Sequence, residues 1–230
     1  EFADELDNLG VRVANLEKKA DNVKINGQIR FRNVHDYKET GDKDATTLRT
    51  RLFVNGQIND DWSYTGMLQN EQEFDNNKGD DDTYLKRAYL NGKLGGLAVT
   101  AGRWDEVSNT GNIVDLTGDG IKVSYGEKVK VWGAALKANE ATEAPADRVY
   151  LAGVNTTIGV VDAYAMYAKG NGKVGGITGD DNKEIYNVGA SLDVAKDLNL
   201  AYEYMWGDKA YDNRVSKDGW VATLSYKGAE

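Results

Sequence analysis

The segment Ile25-Asn26-Gly27-Gln28-Ile29-Arg30-Phe31-Arg32 alternates between two kinds of residue from its first position to its last. Its odd positions are apolar or glycine, and its even positions are Asn, Gln or Arg. Because successive side chains of a β-strand point to opposite faces, the segment predicts a strand with one apolar and one polar face. The same alternation recurs in Leu48–Asn55, Trp62–Glu71, Leu198–Trp206 and Trp220–Tyr226.

The connections between such segments alternate between short and long. The short links are Asn59–Asp61, Gly95–Gly96, Gly126–Lys128, Ile158–Val160 and Ala195–Asp197. The long, polar links are Tyr37–Thr46, Phe74–Thr83, Trp104–Gly118, Ala138–Asp147, Gly170–Lys183 and Gly207–Asp218. Transmembrane β-barrels keep short turns at one end and long loops at the other. The order therefore predicts an all-β chain, a transmembrane antiparallel up-and-down β-barrel of about 12 strands over residues 24–230.

A soluble β-sandwich is the alternative fold, since its strands also alternate. It has no need to gather its short turns at one end. The mean hydropathy of −0.59 does not decide between the two, because only alternate residues of a barrel face lipid. No window holds the run of about 18 apolar residues that a membrane-spanning helix needs.

Charge and cysteine content exclude other classes of protein. The 230 residues carry a net charge of −9, which argues against a nucleic-acid partner, because phosphate binding requires an excess of Lys and Arg. There is no cysteine, so we expect no disulfide, thiolate site or iron–sulfur cluster. The 13 Tyr and 5 Trp are typical of the aromatic belts at membrane–water interfaces.

The first residues of the chain follow a different period. Apolar residues recur at alternating intervals of four and three residues, at Phe2, Leu6, Leu9, Val13, Leu16, Ala20 and Val23. This is the seam of a coiled coil, and it predicts a helical stalk over residues 1–23 that associates with other helices. The alternative is a single helix that packs on its own domain.

A hairpin in the fourth and fifth predicted strands resembles one found in general bacterial porins. Arg87-Ala88-Tyr89-Leu90-Asn91-Gly92-Lys93-Leu94 is followed by Gly95-Gly96-Leu97-Ala98-Val99-Thr100-Ala101-Gly102-Arg103. In those porins, a strand similar to R-x-Y-x-G-L-K turns tightly into one that ends T-x-G-R. The resemblance implies that Trp104–Gly118 is the third long loop, which folds into the lumen and narrows it.

The junction between the heptad segment and the first strand is similar to that of the S-layer-homology porins of Firmicutes with an outer membrane. Leu9–Glu17 and Val23–Arg30 carry this resemblance. It implies a trimeric barrel in the outer membrane, a periplasmic stalk, and attachment to peptidoglycan through a domain that lies outside this sequence. General porins have about sixteen strands, so we expect the strands here to be part of such a barrel, with a closed twelve-strand barrel as the alternative.

The predicted lumen carries opposed charges. The hypothetical basic wall consists of Arg30, Arg32, Arg49, Arg51 and Arg87. In porins such a wall faces acids on the inward loop, which here are Asp105, Glu106 and Asp115, and the charges set ion preference. The motif adds Arg103 to the wall, but strict alternation places it with Leu97 unless Gly102 marks a bulge. Alternatively, the arginines only pair with neighbouring carboxylates.

The expected function is passive diffusion of small hydrophilic solutes and ions, without cofactor, metal or covalent chemistry. The single histidine, His35, has no nucleophile motif nearby, so no enzyme is predicted. The acid runs Asp75–Asp82 and Gly179–Asn182 lack EF-hand spacing and are expected to be solvated. The alternatives are a tether between outer membrane and peptidoglycan with a plugged barrel, and a soluble β-rich surface-binding protein.

Overall fold

The computed structural model describes Glu5 and residues 22–36, 43–74, 82–107, 113–138, 148–170, 183–207 and 218–227. The heptad segment lies outside these residues apart from Glu5, Asn22 and Val23, so the stalk stays a prediction. Val23 does not continue the predicted seam, because it begins the first strand and pairs with Gly56.

Twelve strands form the fold. They are β1 Val23–Asp36, β2 Lys43–Gln57, β3 Trp62–Glu73, β4 Tyr84–Leu94, β5 Leu97–Val107, β6 Asp115–Tyr125, β7 Val129–Ala138, β8 Arg148–Ile158, β9 Val161–Gly170, β10 Lys183–Ala195, β11 Leu198–Gly207 and β12 Asp218–Tyr226. Neighbours in the chain are neighbours in the sheet, which confirms the predicted antiparallel up-and-down order. Among the described strands, β1 pairs only with β2 and β12 only with β11, so the sheet is not closed.

The chain divides into two compact units, Glu1–Gly92 and Lys93–Glu230. The first unit contains β1 to β3 and most of β4, and the second contains β5 to β12. In the part of the chain that the structure describes, no helix has the length and hydropathy needed to cross a membrane.

Short turns join β2 to β3, β4 to β5, β6 to β7, β8 to β9 and β10 to β11, which confirms the predicted tight links. Gly95 and Gly96 have φ angles of 57° and 83°, the left-handed conformation that a two-residue type I′ hairpin requires. Before β3, the side chain of Asn59 accepts hydrogen bonds from the backbone N–H groups of Asp61 and Trp62 at 3.0 and 2.9 Å. This Asx turn adds to the backbone hydrogen bonds that Ile58 N–H and Asn59 N–H donate to the carbonyl oxygen of Trp62 at 2.8 and 3.2 Å.

β5 and β6 extend further than the sequence predicted. Cross-strand pairs continue as far as Val107 opposite Asp115, within the segment Trp104–Gly118 that was predicted to be a loop. Polar residues in this stretch belong to the ladder: the hydroxyl of Thr117 donates a hydrogen bond of 2.8 Å to the carboxylate of Asp105. Only residues 108–114 separate the two strands.

The two faces of the first unit differ in polarity. Its apolar face pairs Ile25 with Val54 and Phe31 with Leu48, and Ile29 on this face is 72% exposed. Its polar face carries the alternate residues of the same strands, which include Asn26, Gln28, Arg30, Arg32, Arg49, Arg51 and Glu71. The predicted apolar and polar faces of the segment Ile25–Arg32 are therefore confirmed as the two faces of one sheet.

The second unit has an exposed apolar face and a packed face. On the exposed apolar face, Val131, Val154, Ala165 and Val188 pair in one row across β7 to β10. The buried residues of the packed face include Trp104, Glu106, Leu136, Val149, Leu151, Met166, Ile185 and Asn187. The packed face is therefore the one that positions polar groups away from bulk water.

Aromatic residues gather at both ends of the exposed apolar face. Tyr125 and Tyr226 end β6 and β12 on the side of the short turns. On the side of the long connections, Tyr186 stacks on Trp206 at a centroid distance of 5.7 Å, and Tyr202 stacks on Trp220 at 6.3 Å. An aliphatic band between two aromatic rows is the surface pattern of a strand that crosses a bilayer.

Candidate functional site

Three arginines come together on the polar face of the first unit. Arg30 and Arg49 lie directly opposite each other in the β1–β2 ladder, and Arg49 lies opposite Glu71 in the β2–β3 ladder. Arg51 is two residues further along β2 on the same face. Nη2 of Arg30 is 3.5 Å from Oε1 of Glu71, which is a loose ion pair. We refer to Arg30, Arg49 and Arg51 as the arginine cluster.

A chain of polar contacts holds the position of Arg51. Its Nε donates a hydrogen bond of 2.6 Å to Oε1 of Gln69, and Nε2 of Gln69 donates one of 2.9 Å to the hydroxyl of Tyr84. Gln69 is only 6% exposed, so this contact fixes one edge of the Arg51 guanidinium. Arg87 lies on the same face, opposite Met67 and beside a register shift between Met67 and Leu68.

Positive charge dominates this polar face. Among the described side chains of β1 to β3 on it, five are cationic and two are carboxylates: Lys24, Arg30, Arg32, Arg49, Arg51, Glu71 and Glu73. Arg32 is exposed and lies opposite Thr47. The structure thus brings Arg30, Arg32, Arg49, Arg51 and Arg87 onto one face of the first unit.

Arg103 does not lie with the packed face of the second unit. The β5–β6 register runs through Gly102 without a shift, so Arg103 shares the exposed apolar face with Leu97 and Val99. There its Nε is 2.7 Å from Oδ1 of Asp119, its partner across the ladder. Strict alternation is confirmed here, and the motif-based placement of Arg103 in the wall is wrong, because no bulge reverses the side-chain direction.

The three predicted loop acids occupy two different faces. Asp105 and Asp115 lie in β5 and β6 on the exposed apolar face, opposite Thr117 and Val107 respectively. Glu106 lies on the packed face and is 5% exposed. Strand pairing separates these acids because residues 105 and 106 are adjacent and must point to opposite faces.

Glu106 contacts Lys122 and Trp104, and Lys122 in turn contacts Trp132; the sequence did not predict these partners. Nζ of Lys122 is 2.5 Å from Oε1 of Glu106, and Nε1 of Trp104 donates a hydrogen bond of 2.8 Å to Oε2. Lys122 also lies 4.6 Å from the ring centroid of Trp132. A cation between a carboxylate and an aromatic face is held from two sides. The alternation of β6 and β7 predicts which face of the sheet Lys122 and Trp132 occupy. It does not predict which residues lie opposite each other across the strands.

A second polar network crosses β9, β10 and β11. The hydroxyl of Tyr164 donates a hydrogen bond to the carboxylate of Glu203, and Glu203 is only 2% exposed. The ring passes over Gly189, which lies opposite both residues in the two ladders. A cavity of about 490 Å³ is lined by both residues of this network and by others that include Lys130 and Asn155. Buried polar groups of this kind fix the orientation of side chains on the packed face.

Metal-ligating side chains do not cluster in the described ranges. They contain no group of three or more His, Cys, Asp or Glu placed to hold a metal ion. His35 is exposed in β1, opposite Asp44. The acid runs fall outside the described residues except for Asp82.

The fold is similar to that of solved bacterial porins. A mutant of the Rhodopseudomonas blastica porin aligns over 90% of this chain and 80% of that chain, with a TM-score of 0.58 and 13% sequence identity. A triple mutant of the same porin aligns over the same shares, with a TM-score of 0.56 and 13% identity. No family model and no curated protein matches the sequence. The chain therefore has a porin-like fold.

Proposed function

We propose that the protein is an outer-membrane porin, a water-filled channel through which small hydrophilic solutes and ions diffuse passively. The observation that carries this proposal is the two-sidedness of the strands. One face is apolar, exposed and bounded by aromatic rows, while the other carries charges and hydrogen-bonded polar groups. Lipid outside and water inside a barrel require this combination.

The exposed apolar side chains support a membrane location. Ile29 and Phe31 are 72% and 66% exposed, and Leu224 is 66% exposed. Moving one such side chain from water into an apolar surrounding is favourable by about 1.5–3 kcal/mol. A soluble surface-binding protein would have to cover these faces, whereas bilayer lipid solvates them directly.

We infer that the barrel assembles as a homo-oligomer, as a trimer, with segment 1–23 as a periplasmic coiled-coil stalk. The support is the heptad period of that segment and its similarity to S-layer-homology porins. In this arrangement, the stalk connects the barrel toward peptidoglycan through a domain beyond this sequence. Outer-membrane lipid is then the partner of the apolar faces.

A tether with a plugged lumen is the second candidate function, and one observation favours it. The packed face of the second unit carries buried apolar residues, among them Leu136, Val149 and Leu151, which are only 3%, 1% and 4% exposed. An open, water-filled lumen does not require apolar burial on its wall. A lumen that is filled by protein in this region would bury apolar side chains on its wall.

Single-channel recording of detergent-purified protein in a planar bilayer tests the proposal. Stepwise insertions with ohmic conductance, followed by voltage closure in three equal steps, are the expected result for a trimeric pore. Insertion without conductance would favour the tether. Full solubility without detergent would contradict both and favour a soluble binding protein.

A further inference from the structure

The cavity of about 490 Å³ in the second unit lies on the packed face, close to the short turns. Lys130 of β7 lies opposite Asn155 of β8, and Asn155 lies opposite Tyr164 of β9. All three line the cavity together with Asp162, which is two residues before Tyr164 and therefore on the same face. A volume of this size is typical of sites that bind small molecules.

Two opposite charges in this cavity have no ionic partner. Among the described residues, Lys130 forms no hydrogen bond or ion pair, and no cation pairs with Asp162. Oδ1 of Asp162 accepts a hydrogen bond of 2.6 Å from the hydroxyl of Thr157. Lys130 and Asp162 are exposed, so water and solutes reach both of them. The adjacent and oppositely charged Glu127 and Lys128 also line the cavity, from the turn before β7.

The sheet holds these two charges apart. Lys130 and Asp162 are in β7 and β9, so two strand spacings, about 10 Å, separate them across the sheet. They are also offset by two residues, about 7 Å, along the strands, which places their Cα atoms about 12 Å apart. A solute that carries an anionic and a cationic group can lie between the two side chains and contact both.

The polar groups between these charges are held in place and offer further hydrogen bonds. Oδ1 of Asn155 accepts a hydrogen bond of 2.7 Å from Nε1 of Trp132, so Nδ2 is the atom of this amide that is left to donate to a solute. The hydroxyl of Tyr164 donates to the buried carboxylate of Glu203, so its oxygen is left to accept. The amide donor lies beside the lysine and suits a carboxylate, and the phenol oxygen lies beside the aspartate and suits an ammonium group.

We propose that this cavity binds small zwitterionic solutes, such as amino acids and dipeptides, with the carboxylate on Lys130 and the ammonium group on Asp162. This inference rests on the proposed pore function, in which the packed face borders the lumen, and it names a class of solute for that pore. Both charge pairs are exposed and are screened by salt, so binding is weak and readily reversible. Passage through a channel requires release of this kind.

Binding of glycylglycine to the detergent-purified protein at low salt, measured by saturation-transfer NMR, tests the need for both charges. N-acetylglycine lacks the ammonium group, and glycylglycinamide lacks the carboxylate. Each of these analogues should bind about fivefold more weakly than glycylglycine, because it keeps only one of the two charge pairs. Equal binding of the three compounds, or no binding of glycylglycine, would overturn the inference.

Two variants assign the two ends of the solute. Lys130→Met should weaken the binding of glycylglycine and N-acetylglycine about fivefold without weakening that of glycylglycinamide. Asp162→Asn should weaken glycylglycine and glycylglycinamide by a similar factor without weakening N-acetylglycine. Lys137→Met is the matched control, because Lys137 is exposed in the same strand as Lys130 but on the opposite face. Variants that affect the three compounds equally, or an equal loss in the control, would contradict the assignment.

Single-channel recording separates this inference from the porin function. Glycylglycine should cause brief interruptions of the wild-type current, and Lys130→Met combined with Asp162→Asn should remove them. Heat-modifiable migration on gels checks that each variant is folded. An open channel that glycylglycine neither binds nor interrupts would overturn the zwitterion site and leave the porin function intact. Binding that needs Lys130 and Asp162 in a chain that never conducts would overturn the porin function alone.

Discussion

The indole ring of Trp132 lies against the backbone of Gly153, its partner across the β7–β8 ladder. A Cβ atom at residue 153 would lie 2.5 Å from Cζ2 of the indole, so the ring occupies the space that any other residue would need. The same relation joins Tyr164 to Gly189. An aromatic ring over a glycine covers backbone that the glycine leaves bare and holds the ring in one orientation.

Gly153→Ala should displace Trp132 and break the 2.7 Å hydrogen bond from its Nε1 to Asn155. Overpacking of this kind lowers the free energy of unfolding by about 1–3 kcal/mol. The urea midpoint of the protein folded in lipid vesicles measures the loss. Gly133→Ala is the control in the same pair of strands, because its Cβ would meet only the carbonyl oxygen of Leu151 at 3.7 Å. Equal losses in the two variants would contradict the prediction.

Lys122→Met should leave the buried carboxylate of Glu106 without its cation. Breaking a buried ion pair by removing one partner destabilises by about 3–5 kcal/mol, and guanidinium unfolding in detergent micelles would measure this. Adding Glu106→Gln to Lys122→Met should recover most of the loss, because no buried charge then remains. Lys128→Met, in the exposed turn before β7, should change stability by less than about 0.5 kcal/mol. Failure of the second substitution to rescue would mean that packing, not charge, holds Lys122 in place.

Ile29→Lys and Gln28→Lys place the same charge on neighbouring residues of β1 that face opposite sides of the sheet. If the apolar face meets lipid, Ile29→Lys should destabilise the folded state by about 2–4 kcal/mol, as expected near the bilayer midplane. Gln28→Lys should cost less than about 1 kcal/mol, since its side chain joins the polar face. Folding titrations from urea into lipid vesicles compare the two variants. The reverse order of stability would exclude this orientation of β1.

Arg103→Gln should leave ion selectivity unchanged, because Arg103 lies on the exposed apolar face and pairs with Asp119. The two side chains are 34% and 44% exposed, and such pairs contribute at most about 1 kcal/mol to stability. The reversal potential in a KCl gradient, recorded beside Arg49→Gln, checks this. A shift as large as that of Arg49→Gln would return Arg103 to the lumen wall.

The strands and short turns could be predicted from the sequence because both depend on local rules. Alternation has a period of two residues, and Gly95-Gly96 meets the backbone requirement of a tight hairpin without help from the rest of the fold. The same rule placed Arg103 correctly where the family motif did not. Asp105, Thr117 and Asp115 were assigned to a loop because polarity alone does not distinguish a loop from the end of a strand.

The contacts of Glu106 could not be predicted, because they depend on which residues meet across ladders. Lys122 and Trp132 are in different strands, and a change of register by two residues would keep both alternations and separate the three side chains. The ring partners of Gly153 and Gly189 could not be predicted from the sequence, because Trp132 and Tyr164 meet these glycines only through the register of the ladders. The alternation of apolar and polar residues predicted which face of the sheet carries the charged side chains. It did not predict which side chains neutralise them.

The meander order of the strands also determines how the chain can fold. Each ladder in the described part of the chain joins strands that follow one another, so no pairing waits for a distant segment to arrive. The relative contact order is therefore low for an all-β protein. The entropic cost of loop closure is divided among several loops between consecutive strands. Each hairpin adds to an edge that the previous hairpin has already built. The described strands can therefore pair by the addition of one hairpin at a time.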